Sequence, residues 1–445
     1  MSNTLGRFWV VFFGIAGLAL VLYSLNRSSP PPPLTKEDLA FELTHKIIQG
    51  QRPDVLSIPR VIDGKEERRD YRVTYTLDPD SQKTAENLLR TYNSDYSSLV
   101  AIDAMSGRIL ALASHYGTTA SRKDLGHLGL RALFPSASVF KVITATAAID
   151  QKSMTADTVI PFNGSSHTLY RRNVEKNDVN RWTRYISLRE AFGKSVNSVF
   201  GKIGLFYVGP RSLQDYADRY QFNQNISSDV EFETGQTQID PSDRWDTVEV
   251  ASGFTDNTSL SPLHGALISA AIVGGGKIYE PGLVESLEAL DPEMKKLEEK
   301  NLSYKFEPKV LSQVFDAESA KELRELMRET VIRGTSRKSF RQVFGRSPPE
   351  LIEFGGKTGS LNARNPHGRT DWFVGYADSG NEKIAIAVMT LHEKLWRVKS
   401  SKIAGEFFQQ GFGLGVSSIG NSSQTAKQSK SAKRKTSRDR MVGGR

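Results

Sequence analysis

Three short motifs must converge for this chain to make chemical sense, and they restrict its possible folds more than any other feature. The first is Ser138-Val139-Phe140-Lys141, which opens the small, apolar run Val142-Ile143-Thr144-Ala145-Thr146-Ala147-Ala148-Ile149. Serine and lysine three residues apart share one helix face, with Cβ atoms about 5–6 Å apart, and the run after them predicts a buried helix. A serine hydroxyl is a poor nucleophile unless a neighbour takes its proton. A lysine in apolar surroundings can do so, because desolvation disfavours its ammonium form. Ser138 near a helix N-terminus would also place developing negative charge by free backbone N–H groups. Alone, this pattern is weak, because it arises by chance in many chains of this length, and it reads first as an ordinary helix start. The second motif, Ser195-Val196-Asn197, reads alone as a surface turn. The third is Lys357-Thr358-Gly359-Ser360, inside a strand pattern and preceded by Gly355-Gly356. Alternation puts Lys357 and Gly359 on one face and Thr358 and Ser360 on the other, and Gly359 leaves room for a closely approaching backbone. Three glycines weaken a purely structural strand, so a ligand is expected along this edge.

Several chemistries are excluded. The chain has no cysteine, which removes thiolate nucleophiles, disulfide scaffolds and cysteine-ligated metals. Its seven histidines form no HExxH or His-x-His spacing, so neither a metal site nor another cofactor is expected. There is no phosphate-binding GxxxxGK[ST] loop and no G-x-S-x-G elbow. Gly274-Gly275-Gly276 lacks a dinucleotide-binding setting and reads as a helix end. The net charge of +9 is uneven, because residues 418–445 hold eight Lys/Arg and one Asp. The body is nearly neutral, and nucleic acid is not an expected partner.

Phe8 to Leu25 is 18 residues without a charge, between Arg7 and Arg27. A helix of that length is about 27 Å long, near the thickness of a bilayer core. No convincing small-x-small cleavage site follows, so an uncleaved anchor is favoured over a cleaved signal peptide or a core helix. The flanking charges do not fix its orientation. Pro30–Pro33 form a stiff spacer, and residues 34–70 read as one short helix and a loop. From Tyr71 to about Gly413 the pattern is continuous. It gives a strand at Val73–Leu77, a helix at Ser81–Tyr92, and a hairpin of Leu99–Ile102 and Arg108–Ala113 around Asp103–Gly107. Strands follow at Phe354–Ser360, Thr370–Ala377 and Lys383–Leu391, and a helix at Ser401–Gln410. The mostly helical middle spans about 136–340. The predicted class is α+β: an antiparallel five-stranded sheet closed by N- and C-terminal strands, with a mostly helical lobe inserted. The expected division is 1–7, a short cytoplasmic N-terminus; 8–25, the anchor; 26–70, a Pro-rich linker; 71–415, the main domain; and 416–445, a basic tail without a packed core.

S-x-x-K, S-x-N and K-T-G in this order resemble the signature of the penicillin-binding protein and serine β-lactamase superfamily. The stretch from about Tyr71 to Gly413 resembles a penicillin-binding transpeptidase domain. Other segments agree, among them LVAIDAMSGRILALAS (99–114), RGTS (333–336) and DWFVGYA (371–377). The resemblance implies that Ser138 is acylated with Lys141 as its base. It implies that Ser195 relays the proton to the leaving group, and that Asn197 holds the substrate amide and Lys141. Lys357 would supply positive potential, Thr358 and Ser360 would bind the substrate carboxylate, and the N–H groups of Ser138 and Ser360 would form an oxyanion hole. Ser360 stands where many relatives have Thr, with the hydroxyl retained.

Within the superfamily, the second motif is S-V-N rather than S-D-N and no E-x-x-L-N follows, so a deacylating base is not expected and β-lactam adducts should be long-lived. About 45 residues separate the anchor from the fold, so neither a glycosyltransferase domain nor a large pedestal is expected between them. By motif the chain looks most like the transpeptidase half of the bifunctional enzymes. The implied function is a membrane-anchored D,D-transpeptidase. It would act on peptidoglycan stem peptides ending in D-Ala-D-Ala, be inhibited covalently by β-lactams, and lie outside the bacterial cytoplasmic membrane. A glycan polymerase is an expected partner. A D,D-carboxypeptidase and a slowly acylating scaffold or sensor are the alternatives.

Overall fold

The computed structural model describes residues 32–411, apart from 63, 152–153, 293, 295, 297–303 and 347–348. The anchor expected at Phe8–Leu25 and the basic tail lie outside the described residues. Among those described, no helix is long and apolar enough to cross a membrane.

The chain begins with α1 (Lys36–Ile48), β1 (Val55–Ile62) and β2 (Lys65–Tyr75), followed by α2 (Pro79–Tyr92), β3 (Tyr96–Asp103) and β4 (Ile109–Tyr116). The inserted lobe contains α3 (Lys141–Asp150), a small hairpin of β5 (Val159–Phe162) and β6 (Arg184–Ser187), α4 (Pro262–Val273) and β7 (Val284–Ala289). The chain then returns through α5 (Ala317–Ile332), α6 (Arg337–Phe344), β8 (Glu353–Arg364), β9 (His367–Asp378), β10 (Lys383–His392) and α7 (Ser400–Gly411). The fold is α+β. Its main sheet runs β8-β9-β10-β3-β4, with every neighbouring pair antiparallel.

The strand expected at Val73–Leu77 is the end of β2 and stops at Tyr75, whereas those expected in the main sheet are all present and extend further. They read as nearly continuous apolar runs because both sheet faces are covered. Val100, Ile102, Val374, Ala387 and Met389 face the inserted lobe and the wholly buried α4. Leu99, Ala101, Phe373, Ile386 and Val388 face α2, α6 and α7, where Phe340, Phe407 and Phe408 pack. α2 starts two residues before the expected Ser81, because Asp78 caps it through the Ser81 amide and Pro79 occupies its first turn. Gly274–Gly276 do end a helix: Gly274 caps α4, and Gly275 and Gly276 take φ of +70° and +92°.

The N-terminal segment differs from expectation. Residues 55–62 and 65–70 lie in strands rather than in the expected loop, and β2 crosses the boundary expected at Tyr71. With β7 from the inserted lobe they make a second sheet in the order β1-β2-β7. β1 is an edge, which tolerates Pro59. The first half of β2, KEERRD, faces mostly solvent, so no apolar alternation marks it in the sequence. The segment is fastened to the body by the Lys36–Glu280 ion pair (2.6 Å) and by the Glu231 amide on Thr44 Oγ1 (2.7 Å).

Candidate active site

The turn that carries Ser138 is set by contacts on three sides. Phe134-Pro135 pair with Ser259-Leu260 as a two-residue ladder. Ser136 is held to Thr258 by its amide (2.9 Å) and its hydroxyl (2.8 Å), and Trp372 Nε1 donates to the Pro135 carbonyl at 3.0 Å. Ala137 then takes φ +49°, a costly value for a residue with a Cβ. A 3₁₀ turn, Ala137–Phe140, leads into α3. Ser138 is left half-buried at the start of the helix, and Lys141 one turn later is fully buried.

Lys141 is the hub. Its Nζ lies 2.7 Å from Ser138 Oγ and 2.7 Å from Asn197 Oδ1, and it also meets the Ser252 carbonyl oxygen. Burial and the charge of Lys357 hold its pKa well below the ordinary lysine range. A neutral amine has two N–H donors and one lone pair. Asn197 Oδ1 and Ser252 O can only accept, so they take the two donors. The lone pair is left facing the Ser138 hydroxyl, the arrangement a proton acceptor requires.

Asn197 begins a short helix, Asn197–Lys202, and is fixed from outside it. Its Nδ2 donates to the His167 carbonyl and its amide to the Ser166 carbonyl, both at 2.7 Å. Ser195 is buried at φ +56°. Its Oγ accepts from Lys357 Nζ at 2.9 Å, and Lys357 also donates to the Thr358 carbonyl at 2.9 Å. Burial lowers the pKa of Lys357 to about 7. The remaining residues of the third motif extend this surface. Thr358 Oγ1 is 2.5 Å from Thr335 Oγ1, and Ser360 Oγ donates to the Thr370 carbonyl at 2.9 Å. A Cβ on Gly359 would lie 3.2 Å from the Ser136 carbonyl oxygen, so this glycine marks where β8 presses on the nucleophile turn.

The structure therefore brings Ser138, Lys141, Asn197, Ser195 and Lys357 into two hydrogen-bonded groups, with Thr358, Gly359 and Ser360 along the adjoining strand. The reading of Gly355 and Gly356 as clearance for a ligand needs correction. A Cβ at either would sit 2.4 Å from the ring of Tyr376 or Phe373 respectively, so aromatic packing requires them. Two contributors carried no motif signal, and a third, Thr335 of the RGTS segment, carried no predicted role in the site. Ser252 and His167 act through backbone carbonyls, which no side-chain pattern reveals. Thr335 sits at the α5–α6 corner, where its amide donates to the Gly193 carbonyl at 3.0 Å and joins the second motif's approach to the third. Among the described residues, no three His, Asp or Glu side chains gather as a metal-binding group.

Comparison with known proteins gives the family and the fold. The family model described as penicillin binding protein transpeptidase domain matches residues 97–412. A relative named peptidoglycan D,D-transpeptidase PbpA, from Mycobacterium tuberculosis, is 25% identical over 353 residues, covering 72% of this chain and 67% of that protein. The crystal structure of the D,D-transpeptidase domain of a peptidoglycan glycosyltransferase from Eggerthella lenta superposes with a TM-score of 0.61 at 20% identity, covering 81% of this chain and 95% of that one. The imipenem acyl-enzyme complex of penicillin-binding protein A from M. tuberculosis superposes with a TM-score of 0.58 at 22% identity, covering 78% and 81%.

Proposed function

Because this chain belongs to the penicillin-binding protein transpeptidase family, we propose that it is a peptidoglycan D,D-transpeptidase acting through an acyl-enzyme on Ser138. The observation that carries the reading is the buried, low-pKa Lys141 amine, with Ser138 Oγ and Asn197 Oδ1 each at 2.7 Å. Lys141 takes the Ser138 proton as Oγ attacks the carbonyl of the penultimate D-Ala. The Ser195 hydroxyl, bonded to Lys357, passes a proton to the departing D-Ala amine. Asn197 binds the substrate amide and orients Lys141. Thr358 and Ser360 receive the substrate carboxylate, for which Ser360 Oγ exchanges its bond to Thr370 O. The Ser138 and Ser360 amides receive the oxyanion, a contribution often worth about 3–4 kcal/mol. An amine from a neighbouring stem peptide then takes the acyl group, whereas water in its place gives D,D-carboxypeptidase activity.

The same reading places Phe8–Leu25 in the bacterial cytoplasmic membrane, with the catalytic body outside the cytoplasm. A glycan polymerase would supply its strands, and the basic tail would contact anionic envelope polymers. The test uses native protein in detergent. A fluorescent penicillin should give a stoichiometric adduct that persists for hours, and a D-Ala-D-Ala pentapeptide should release D-Ala over many cycles. An adduct without repeated release would make the chain a scaffold. An adduct that fades within minutes would make it a β-lactam hydrolase.

The two lysines set the pH dependence. Lys141 must be neutral to accept a proton, and its burial beside Lys357 favours that form. Lys357 acts as a cation, and burial makes it lose its proton as pH rises through about 7. The acylation rate constant at low penicillin concentration reports the free enzyme. It should therefore fall on an alkaline limb centred near that value. Arginine stays charged throughout, so Lys357→Arg should remove the limb. A limb unchanged in that variant would mean another group sets it.

A further inference from the structure

Residues 163–183, between β5 and β6, form an excursion that both supports the catalytic centre and leaves it. Near its start, the Ser166 and His167 carbonyls hold Asn197. Its arms are tied together by Asn163 Nδ2 on the Asp178 carbonyl (3.2 Å) and by the Arg184 guanidinium on the Gly164 carbonyl. Its far turn is fixed by reciprocal bonds. The Asn180 amide donates to Thr183 Oγ1 (2.9 Å), the Thr183 amide to the Asn180 carbonyl (2.9 Å), and the Trp182 amide to Asn180 Oδ1 (2.8 Å). That organised turn holds Trp182 71% exposed, and Tyr185 beside it on β6 is 62% exposed. The Arg181 guanidinium lies 4.9 Å from the centre of the Trp182 ring. Over 163–185 there are five Arg/Lys against two Asp/Glu. The core gains nothing from a rigid turn that keeps a tryptophan in water, so the arrangement fits a ligand-facing surface.

We propose that this excursion is a saccharide-binding lip, on which Trp182 and Tyr185 stack the sugar rings of the strand carrying the donor peptide. A pyranose ring offers a flat C–H face for an aromatic ring and a rim of hydroxyls for arginine donors. The carboxylates of the attached stem peptides complement the lip's positive charge. The contacts to Asn197 join this surface directly to the catalytic centre, so a strand lying on it would bring its peptide to Ser138. A membrane-facing role would also use exposed aromatic and basic residues, and binding to anionic vesicles separates it from binding to glycan. The proposal rests on the transpeptidase reading for its substrate.

The test compares native full-length protein with Trp182→Ala/Tyr185→Ala, using uncross-linked glycan strands bearing pentapeptides, the free pentapeptide and a fluorescent penicillin. In native protein the KM for glycan-borne peptide should lie below that for free peptide. The double variant should raise the glycan KM by about tenfold, leaving kcat, free-peptide turnover and penicillin labelling unchanged. Co-sedimentation with peptide-free glycan strands should be lost in parallel, a readout independent of catalysis. Equal KM values for the two substrates in native protein would overturn the proposal. So would a variant equally impaired on free peptide, or one that loses binding to anionic phospholipid vesicles while keeping the glycan. If native protein neither labels nor turns over either peptide yet still sediments with glycan, the enzymatic reading fails and the lip stands.

Discussion

Lys141→Met should slow acylation by fluorescent penicillin by about 10²–10⁴-fold, the range expected when a positioned general base is removed, and Ser138→Ala should abolish the adduct altogether. Lys141→Arg should be as slow as Lys141→Met. If Lys141 worked mainly as a positive charge, arginine would rescue it, since it is always charged. If it works as a proton acceptor, arginine fails, because it cannot lose its proton near neutral pH. The fully buried amine, its pKa held down by its surroundings, and the two acceptor oxygens that occupy its N–H groups all require the second outcome. The methionine variant leaves Asn197 Oδ1 and Ser252 O without a donor, at about 1–3 kcal/mol per buried group. Removing a desolvated amine offsets part of this, so the melting temperature should change modestly. Acylation time courses, with a melting curve for each variant, decide the matter. A Lys141→Arg enzyme with near-native acylation would remove Lys141 from its assigned role.

Gly253→Ala should slow acylation by at least about 100-fold, as expected when reacting groups move by about an ångström, and should lower the melting temperature as well. Gly253 follows the residue whose carbonyl holds Lys141, and it has φ +60°. A Cβ there would lie 2.0 Å from the Ala137 carbonyl oxygen and 3.1 Å from Ser138 Cα. The methyl therefore pushes on the backbone that aims the nucleophile, and that backbone is already constrained at Ala137. Gly275→Ala is the matched control. It has φ +70° with nothing within 4 Å of its Cβ position, so it should incur only the left-handed cost of about 1–2 kcal/mol and leave acylation intact. Equal acylation in the two variants would mean that close packing at Gly253 does not position Ser138.

The parts of this protein legible in its sequence are those in which side-chain identity itself carries the constraint. Ser138 and Lys141 must share a helix face, Lys357 must stand on a strand, and the apolar strands of a sheet covered on both sides announce themselves by composition. What escaped is carried by backbone or by context. The Ser252 and His167 carbonyls have no side-chain signature, and Thr335 becomes relevant only because the α5–α6 corner meets β8. Gly355 and Gly356 looked like ligand clearance because a glycine is silent about what fills its space, which here is the rings of Tyr376 and Phe373. β1 and the first half of β2 were hidden by Pro59 and by a run of charges that an edge strand and a solvent-facing half-strand tolerate.

That second sheet also sets the protein's reach. β2 lies between β1 and β7, so the chain arriving from the N-terminus is built into the catalytic body and cannot swing on a long leash. With the proposed span ending at Leu25, only residues 26–35 remain before α1. Ten residues extend at most about 33–36 Å, roughly one bilayer thickness. On the proposed anchor, so short a tether would hold the N-terminal edge of the catalytic body within that distance of the membrane. Where such an enzyme could cross-link would then be set by the length of its tether as well as by its chemistry.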